Sequence, residues 1–478
     1  MTLLDHPDTV STTPEAGALI DRRRRLTLFV LLTAGFTLAV DFSILNVALP
    51  VIGHDIGFSL GSLQWIATSY ALCAAGFTLT FGRLADLFGR RRLFLGGMAL
   101  LGLSSLLGGV ATTPAMLLAA RVAQGLATAA VTPAALSLLT TSFHGRMRER
   151  ALGLNGALMA AGFTTGAILG GLLTDLLSWR WAFFVNVAVA AVVLAVAPRV
   201  LSESRAEVRP RLDIAGAVAV TLALLAIVYG LTTAGQAGWT SPRAVIALVA
   251  GTVLLIAFAA IERRADAPLV PPHVLRRRTV GWGNVAGLLA FATETSLVFL
   301  LTVYLQRVLG FSALAAGLSF AVLGAGTVLG GMAGPRVIGR LGGAKTIVAG
   351  LVVQALATAS LLLLGAERGW VMLLLIATFA GGVANLVAIV GFMVTATSDL
   401  PDGEQGVATG LTTMSQQIGI SLGTPIMSAI LTTAVTAAGG ATTARLLSGV
   451  TTAIAVNAAL CLAAAVLVAF TLRTPART

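Results

Sequence analysis

The stretch VDFSILNVALP, residues 40–50, closes an apolar run that begins near Leu26. The run is long enough for a transmembrane helix, which needs about 20 predominantly apolar residues. Asp41 lies roughly two-thirds of the way along it, where a charged side chain costs about 2.5–3.5 kcal/mol on insertion scales. We therefore expect a membrane span whose carboxylate has a function.

The composition of the whole chain agrees with that expectation. Of its 478 residues, 57% are hydrophobic and only 10% are charged, and the mean hydropathy is +0.94. Soluble domains carry about 25% charged residues, so that class is excluded. Many apolar runs reach the length of a transmembrane helix, and the short alternating segments of a membrane β-barrel are not seen.

The basic residues indicate membrane topology and not nucleic-acid binding. The net charge is +12, but most of the 31 basic residues fall in the N-terminal tail and in loops that alternate onto one side. The positive-inside rule makes that side cytoplasmic and places both termini there. Arg22–Arg25 precede a run too long for a signal-peptide core, so we expect a retained signal anchor.

The expected fold is an all-α integral membrane protein with fourteen transmembrane helices. The predicted spans cover residues 26–50, 61–82, 93–111, 115–140, 151–177, 181–200, 212–234, 243–262, 280–305, 313–334, 345–364, 370–395, 405–434 and 446–471. The predicted units are a cytoplasmic N-terminal tail (1–25), an N-terminal six-helix bundle (26–200), a linker with two inserted transmembrane helices (201–279), a C-terminal six-helix bundle (280–472) and a cytoplasmic C-terminal tail (473–478).

An internal repeat is the reason for drawing two related bundles. A constant offset of 253 residues aligns Gly57-Phe58-Ser59 with Gly310-Phe311-Ser312 and Asp41 with Glu294. The same offset, without a gap, also aligns Ser43 with Ser296, Gly89 with Gly342, Gly153 with Gly406, Gly166 with Gly419, and Gly170 with Gly423. Repeats of this kind are typical of transporters, whose substrate site lies near the midplane between the halves.

Ionisable residues inside the spans are the candidates for proton coupling: Asp41, Glu294 and Arg121. Such residues mark ion or substrate pathways, although each carboxylate could instead form only a structural hydrogen bond. A medium of low dielectric favours the neutral form of a carboxylate. A group that is neutral when loaded with a proton and ionised on release is what coupling requires, and when ionised it would attract a cationic substrate.

Arg121 needs a partner, because an unpaired guanidinium inside a span is costly. We expect it to face the bundle and pair with Asp41; the alternative is that it snorkels to the outer surface. Its repeat mate is Leu374, so this charge belongs to the first half alone. Proton handling is therefore assigned chiefly to Asp41, with Glu294 as a second proton site or a substrate contact.

The loop between spans 2 and 3 is a candidate conformational switch. Residues 82–92 read GRLADLFGRRR, in which glycines allow a tight turn and the acidic residue can pair with arginines or cap a helix. A charge network there would latch the two halves in one conformation and release them in another; the alternative is a topology signal alone. The candidate residues are Gly82, Arg83, Asp86, Gly89 and Arg90.

Two further sets of residues have both a structural and a functional interpretation. Gly162, Gly166 and Gly170 lie four apart on one helix face and, with Gly171, allow close packing or contribute to coupling. Aromatic residues on the spans that would line a central cavity suit lipophilic, often cationic compounds, or else they face lipid. These are Trp65, Tyr70, Trp282, Phe291 and Tyr304.

In combination these motifs resemble the major facilitator superfamily. The loop at residues 82–92 is similar to its signature, residues 121–125 to its fourth-helix motif, and residues 41–50 and 179–186 to motifs of its fourteen-span drug–proton antiporters. The resemblance implies that Asp41 and Arg121 serve proton coupling, and Asp86 with Arg90 the switch. One departure is Ala167, which stands where the fifth-helix antiporter motif has a proline.

We therefore expect a proton-coupled exporter of lipophilic, cationic drugs or secondary metabolites that works by alternating access. A proton symporter that imports an organic solute and a non-transporting receptor are the alternatives. Cys73 and Cys461 lie in apolar runs and no histidine has ligand spacing, so we expect no metal, cofactor or enzymatic activity. The expected partners are the bilayer, protons and a small molecule. A chain rich in Ala, Gly and Arg is typical of high-GC bacteria, so we expect the bacterial inner membrane as its location. We also expect a monomer.

Overall fold

The computed structural model describes residues 14–58, 63–143, 145–204, 213–265, 268, 270, 272–397, 405–437 and 442–472. The C-terminal tail, most of the N-terminal tail and parts of both linkers lie outside the described residues. All regular elements of the described chain are helices.

Fourteen helices of 18 residues or more follow one another along the described chain. They are α1 (Pro14–Ile56), α2 (Gln64–Phe88), α3 (Arg90–Gly109), α4 (Pro114–Ser142), α5 (Gly145–Leu176), α6 (Trp181–Val200), α7 (Ile214–Ala237), α8 (Pro242–Glu262), α9 (Arg278–Val303), α10 (Ala313–Leu341), α11 (Gly343–Ser360), α12 (Val371–Thr397), α13 (Gln405–Ala437) and α14 (Thr443–Thr471). Short elements are a helix at Pro272–Leu275, a π-helical turn at Tyr304–Val308 and 3₁₀ turns at Leu361–Leu363 and Arg368–Trp370.

Within the described chain, thirteen of these helices are long and apolar enough to cross a membrane, and α2 is the one that is not among them. Polar side chains fix several helix starts, because they accept hydrogen bonds from backbone N–H groups that have no partner in the helix. Thr113 caps α4, Asp213 caps α7, Ser312 caps α10 and Thr442 caps α14. The ends of the helices therefore follow from these caps and from the apolar runs between them.

Tight turns at repeat-related glycines connect two pairs of helices. Gly89 joins α2 to α3 with a φ of +111°, and its repeat mate Gly342 joins α10 to α11 with a φ of +78°. Residues with a Cβ atom rarely adopt this left-handed backbone conformation, so glycine suits both positions. The same chain reversal is therefore built twice.

The helices of the two halves pack in the same pattern. In the first half, α1 packs on α4, α5 and α6, while α2 packs on α4 and α3 packs on α4 and α6. In the second half, α9 packs on α12, α13 and α14, while α10 packs on α12 and α11 packs on α12 and α14. Between the halves, α5 packs on α10 and α2 on α13. Of the two inserted helices, α7 contacts both halves through α2 and α13, and α8 packs on α7.

Candidate functional site

Asp41 lies at the centre of a buried polar cluster that joins five helices of the first half. Its side chain is 1% exposed, as is that of Arg121 on α4, and the Arg121 Nη1 to Asp41 Oδ2 distance is 3.3 Å. The contact predicted from the sequence is present, and Arg121 does not snorkel. An ion pair taken out of water is stable only when its remaining polar groups are satisfied by other hydrogen bonds.

Two amides complete the shell of donors around Asp41. Gln124 on α4 donates from Nε2 to Asp41 Oδ1 at 3.1 Å and to the Ser105 hydroxyl on α3 at 2.8 Å. Asn186 on α6 donates to the same Asp41 oxygen. Donors of this kind stabilise the ionised carboxylate, whereas burial opposes it. Asp41 is thus held where its state of charge affects α3, α4 and α6 together.

The guanidinium of Arg121 has further partners on α2 and α4. It donates from Nε to the Ile66 carbonyl at 3.0 Å and from Nη1 to Gln124 Oε1 at 2.9 Å. It also lies over the Tyr70 ring, 4.2 Å from its centroid, and the Tyr70 hydroxyl shares a 2.8 Å hydrogen bond with Thr128. These contacts hold the cation independently of Asp41.

The glycine face of α5 brings its backbone against α1 beside Asp41. A Cβ at Gly166 would lie 2.7 Å from the Val40 carbonyl oxygen, and one at Gly170 would lie 2.1 Å from that of Ile44. Gly162 meets the Phe36 carbonyl in the same way, while Gly171 faces α10. Close approach therefore explains why these positions carry glycine.

Glu294 lies in a different setting within the second half. It lines a pocket enclosed by α9, α10, α11, α12 and the 3₁₀ turn after α11. Among the described residues it has no hydrogen bond or ion pair. The two carboxylates that the repeat relates are therefore not equivalent: one is enclosed by donors and the other faces free space.

The polar groups near that pocket come from α9, α11, α12 and α14. Asn385 donates from Nδ2 to Gln354 Oε1 at 3.1 Å, and Gln354 donates to the Thr293 hydroxyl at 3.3 Å. Asn457 donates to the Thr293 carbonyl at 2.9 Å and to the Ser296 hydroxyl at 3.0 Å. These bonds fix the second-half side chains without using the Glu294 carboxylate.

The five aromatic candidates are dispersed in the structure. Tyr70 belongs to the Asp41 cluster, and Phe291 is buried in an apolar cluster that also includes Phe42 and Phe163. Trp65 lies against Tyr229 of α7, with ring centroids 6.0 Å apart. Trp282 is 38% exposed, and buried Tyr304 donates its hydroxyl to the Gly365 carbonyl at 2.7 Å. A role in lining a substrate cavity stays a prediction for all five.

The candidate switch loop contacts the linker that follows α6. The Arg90 amide donates to the Ser204 carbonyl at 3.1 Å, the Arg91 amide donates to Glu203 Oε1 at 3.1 Å, and Arg92 lies 3.9 Å from Glu203 Oε2.

On the same loop, Gly89 leaves room for the Glu203 carboxylate, which a Cβ would meet at 2.6 Å, and Gly82 faces Pro133. Arg83 donates to the Pro268 carbonyl at 2.7 Å. The side chain of Asp86 lies outside the described residues, so its predicted pairing stays a prediction.

Sequence reasoning missed several of these participants. Gln124 and Asn186 lie within the motifs at residues 121–125 and 179–186 but have no predicted role there, and Ser105, Gln354 and Asn385 belong to no motif. Polar residues inside apolar runs are a signal that could have found them, since buried polar groups need partners. Glu203 belongs to the predicted linker (201–279) and has no predicted role. Among the residues that the structure describes, no group of His, Cys, Asp or Glu is placed to hold a metal ion.

The sequence profile of the Major Facilitator Superfamily matches residues 31–424, which is most of the chain and includes both halves. The chain belongs to the Major Facilitator Superfamily. It is a multi-pass membrane protein with two halves whose helices pack in the same pattern.

Relatives within the superfamily carry names that refer to antibiotics. The chain is 38% identical to the cephamycin export protein CmcT of Amycolatopsis lactamdurans, over 83% of this chain and 82% of the relative. It is 36% identical to the puromycin resistance protein pur8 of Streptomyces alboniger, over 87% and 84%. It is 32% identical to the lincomycin resistance protein of Streptomyces lincolnensis, over 83% and 82%.

A solved structure has the same superfamily fold. The human organic anion transporter MFSD10 (TETRAN) superposes with a TM-score of 0.62, covering 93% of this chain and 99% of that one, at 16% identity. At that identity the likeness concerns the fold alone.

Proposed function

We propose that this protein exports an antibiotic or related secondary metabolite, lipophilic and cationic, in exchange for protons. Relatives named for the export of, or resistance to, cephamycin, puromycin and lincomycin support the export of antibiotics. The observation that carries proton coupling is the buried cluster in which Asp41 pairs with Arg121 at 3.3 Å. An intramembrane ion pair of this kind can be opened and closed by one proton.

The coupling step acts on the Asp41–Arg121 pair. A proton on Asp41 neutralises the carboxylate and removes its attraction for the guanidinium, which keeps its bonds to the Ile66 carbonyl and to Gln124. The contact between α4 and α1 is then weaker. Release of the proton restores the ion pair and the original packing.

The path from that pair to the other half runs through α5. Gly166 and Gly170 bring α5 into backbone contact with α1 beside Asp41. On another face of α5, the Ala167 carbonyl lies 2.6 Å from the Cβ position of Gly317 on α10. A displacement of α1 is therefore passed through α5 to the second half, which is what alternating access requires.

The finer assignments belong to the same proposal. They are the fourteen-span subtype, the division into bundles at residues 26–200 and 280–472 with a two-helix insert, cytoplasmic termini, and a working monomer in the plasma membrane. Gly82, Arg83, Asp86, Gly89 and Arg90 form the switch. The contacts with Glu203 hold the loop against the end of α6 within the first half. The hydrogen bond from Arg83 to the Pro268 carbonyl supports the latch, because it ties the loop to the linker that leads to the second half.

The test is transport in proteoliposomes with an imposed pH gradient and a panel of fluorescent cationic dyes and antibiotics. The wild-type protein should move substrate against its gradient while protons move the other way. Asp41→Asn should abolish this uphill movement and keep downhill exchange of substrate. Glu367→Gln, which changes an exposed acidic residue, is the matched control and should transport normally.

Two outcomes would overturn the proposal. Proton-driven uphill transport at the wild-type rate in Asp41→Asn would remove Asp41 from the coupling step. Movement of substrate and protons in the same direction would identify a symporter in place of an exporter.

A further inference from the structure

The pocket at Glu294 occupies the place in the second half that the Asp41 cluster occupies in the first. The offset of 253 residues relates Asp41 to Glu294 and Ser105 to Thr358. It also relates three bulky side chains of the first half to smaller or apolar ones: Tyr70 to Leu323, Arg121 to Leu374, and Gln124 to Ala377. Glu294, Leu323, Thr358 and Ala377 all line the pocket.

The pocket exists because these substitutions remove donor groups and volume. In the first half the Gln124 amide fills the space between α1 and α3 and donates to the Ser105 hydroxyl at 2.8 Å. In the second half Ala377 has no side chain to reach across. The space that remains in this conformation is large enough for about one water molecule.

Three polar groups at the pocket have no donor among the described residues, and two of them, Glu294 and Thr358, have first-half mates that do. The Glu294 carboxylate has no partner among the described residues. The Thr358 hydroxyl and the Asn385 Oδ1 atom are buried and have no hydrogen-bond partner there either, although each residue is only 1% exposed. A buried polar atom without a partner costs about 1–3 kcal/mol, so these atoms favour a ligand that donates to them.

The orientation of Asn385 is fixed so that its free atom is an acceptor. Its Nδ2 donates to Gln354 Oε1 at 3.1 Å and to the Ala290 carbonyl at 3.2 Å. The amide oxygen therefore has no donor of the protein's own. The remaining lining is mainly aliphatic, with Leu297, Val298 and Leu361 among its members.

We propose that this pocket is a subsite for a primary ammonium group of the exported compound, seated between Glu294, Thr358 and Asn385. An ammonium group is close to a water molecule in size and carries three N–H donors and one positive charge. It would supply to the second half what Arg121 and Gln124 supply to the first. The alkyl part of the compound would lie against the aliphatic wall. This inference rests on the proposed function, because it names the chemical class that the exporter recognises.

The test measures the thermal unfolding temperature of the purified full-length protein in lipid nanodiscs at pH 7. Butylammonium is the probe; butanol, tetramethylammonium and sodium are the controls. Butylammonium should raise the unfolding temperature in a saturable way, because it binds the folded state. Butanol lacks the charge, tetramethylammonium lacks N–H donors and sodium lacks both donors and an alkyl chain, so none should reproduce the shift.

Three variants separate ligand binding from folding. Glu294→Gln should weaken butylammonium binding by about tenfold or more, since a charge-assisted hydrogen bond is lost. Ala377→Gln restores the first-half donor, so it should raise the unfolding temperature of the ligand-free protein and abolish the shift. Glu367→Gln should keep the shift, because its exposed carboxylate lies outside the pocket.

An undiminished butylammonium shift in Glu294→Gln, an equal shift from tetramethylammonium or sodium, or no saturable shift in the wild type would each overturn this inference. If dyes are still exported against a pH gradient without any such shift, the ammonium subsite is wrong and the proposed export stands. If the shift behaves as expected while Asp41→Asn still transports uphill, proton coupling at Asp41 is wrong and the subsite stands.

Discussion

Two arginine–aspartate pairs show how burial changes the energy of an ion pair in this protein. Arg121 and Asp41 are both 1% exposed, whereas Arg180 and Asp55, the same pair of residue types, are 34% and 42% exposed at 3.8 Å. Removing one partner of a buried pair leaves an uncompensated charge, while an exposed charge is hydrated by water. The two pairs therefore differ in energy far more than in geometry.

Arg121→Leu, which copies the second-half residue Leu374, should destabilise the folded protein by about 3–5 kcal/mol. Arg180→Leu should destabilise it less, by about 1–2 kcal/mol, because an exposed ion pair, a hydrogen bond to the Ala111 carbonyl and a contact with the Trp179 ring are lost. Thermal unfolding in detergent, followed by intrinsic tryptophan fluorescence, measures both. Adding Asp41→Asn to Arg121→Leu should recover part of the loss, because the unpaired carboxylate is removed with it. A double variant as unstable as the sum of its two single variants would contradict the pairing.

At the scale of elements, the repeat is expressed as helix contacts. Gly166 and Gly170 of α5 meet α1, and their repeat mates Gly419 and Gly423 of α13 meet the Leu288 and Ala292 carbonyls of α9. The internal repeat thus places the same close backbone contact in both halves. Small residues at such contacts gain van der Waals packing that a larger side chain would prevent.

Gly170→Ala should destabilise the α1–α5 contact by about 1–3 kcal/mol, because the added methyl group meets a backbone oxygen and not a movable side chain. Gly156→Ala lies on the same helix with open space around its Cβ position. It should be neutral or stabilising by up to about 1 kcal/mol, as expected from helix propensity. Thermal unfolding and uphill transport should separate the two variants. Equal behaviour of both would show that the contact is looser than the distances indicate.

At the scale of the whole molecule, the halves meet through α5 with α10 and through α2 with α13. A Cβ at Gly324 of α10 would lie 2.4 Å from the Thr164 Cβ of α5. Ser421 of α13 donates to the Ala71 carbonyl of α2 at 2.8 Å. In alternating access the halves move against each other, so such contacts must open in the course of transport.

A cross-link between the halves should therefore stop transport. In a background of Cys73→Ala and Cys461→Ala, the pair Thr164→Cys and Gly324→Cys places two thiols at the α5–α10 contact. Their Cβ positions are closer than a relaxed disulfide requires, so the two helices must separate slightly for the bond to form. Oxidation should abolish uphill transport and a reductant should restore it, so that one protein serves as its own control. Full transport by the oxidised protein, with the cross-link verified by mass spectrometry, would contradict movement at this contact.

Much of the fold followed from apolar runs and one offset, since helix length and hydropathy are local properties of the chain. The pairing of Asp41 with Arg121 was predictable because an isolated charge inside a span has few options. The other members of the cluster, Gln124, Asn186 and Ser105, were not, because they come from α3, α4 and α6, and no spacing in the sequence says which faces meet. The pairing of Asp86 with arginines stays a prediction, and the contacts of the loop with Glu203 carried no signal in the sequence.

The sequence by itself determined that this is a helical membrane protein built from two related halves, with carboxylates at equivalent depths in each. Only the tertiary structure decided that these carboxylates differ in kind. Asp41 is enclosed by Arg121, Gln124 and Asn186, whereas Glu294 faces a pocket. The physical reason is that the environment of a buried carboxylate is set by the side chains that reach it from other helices. In the second half, leucine and alanine replace the arginine and glutamine that would have done so.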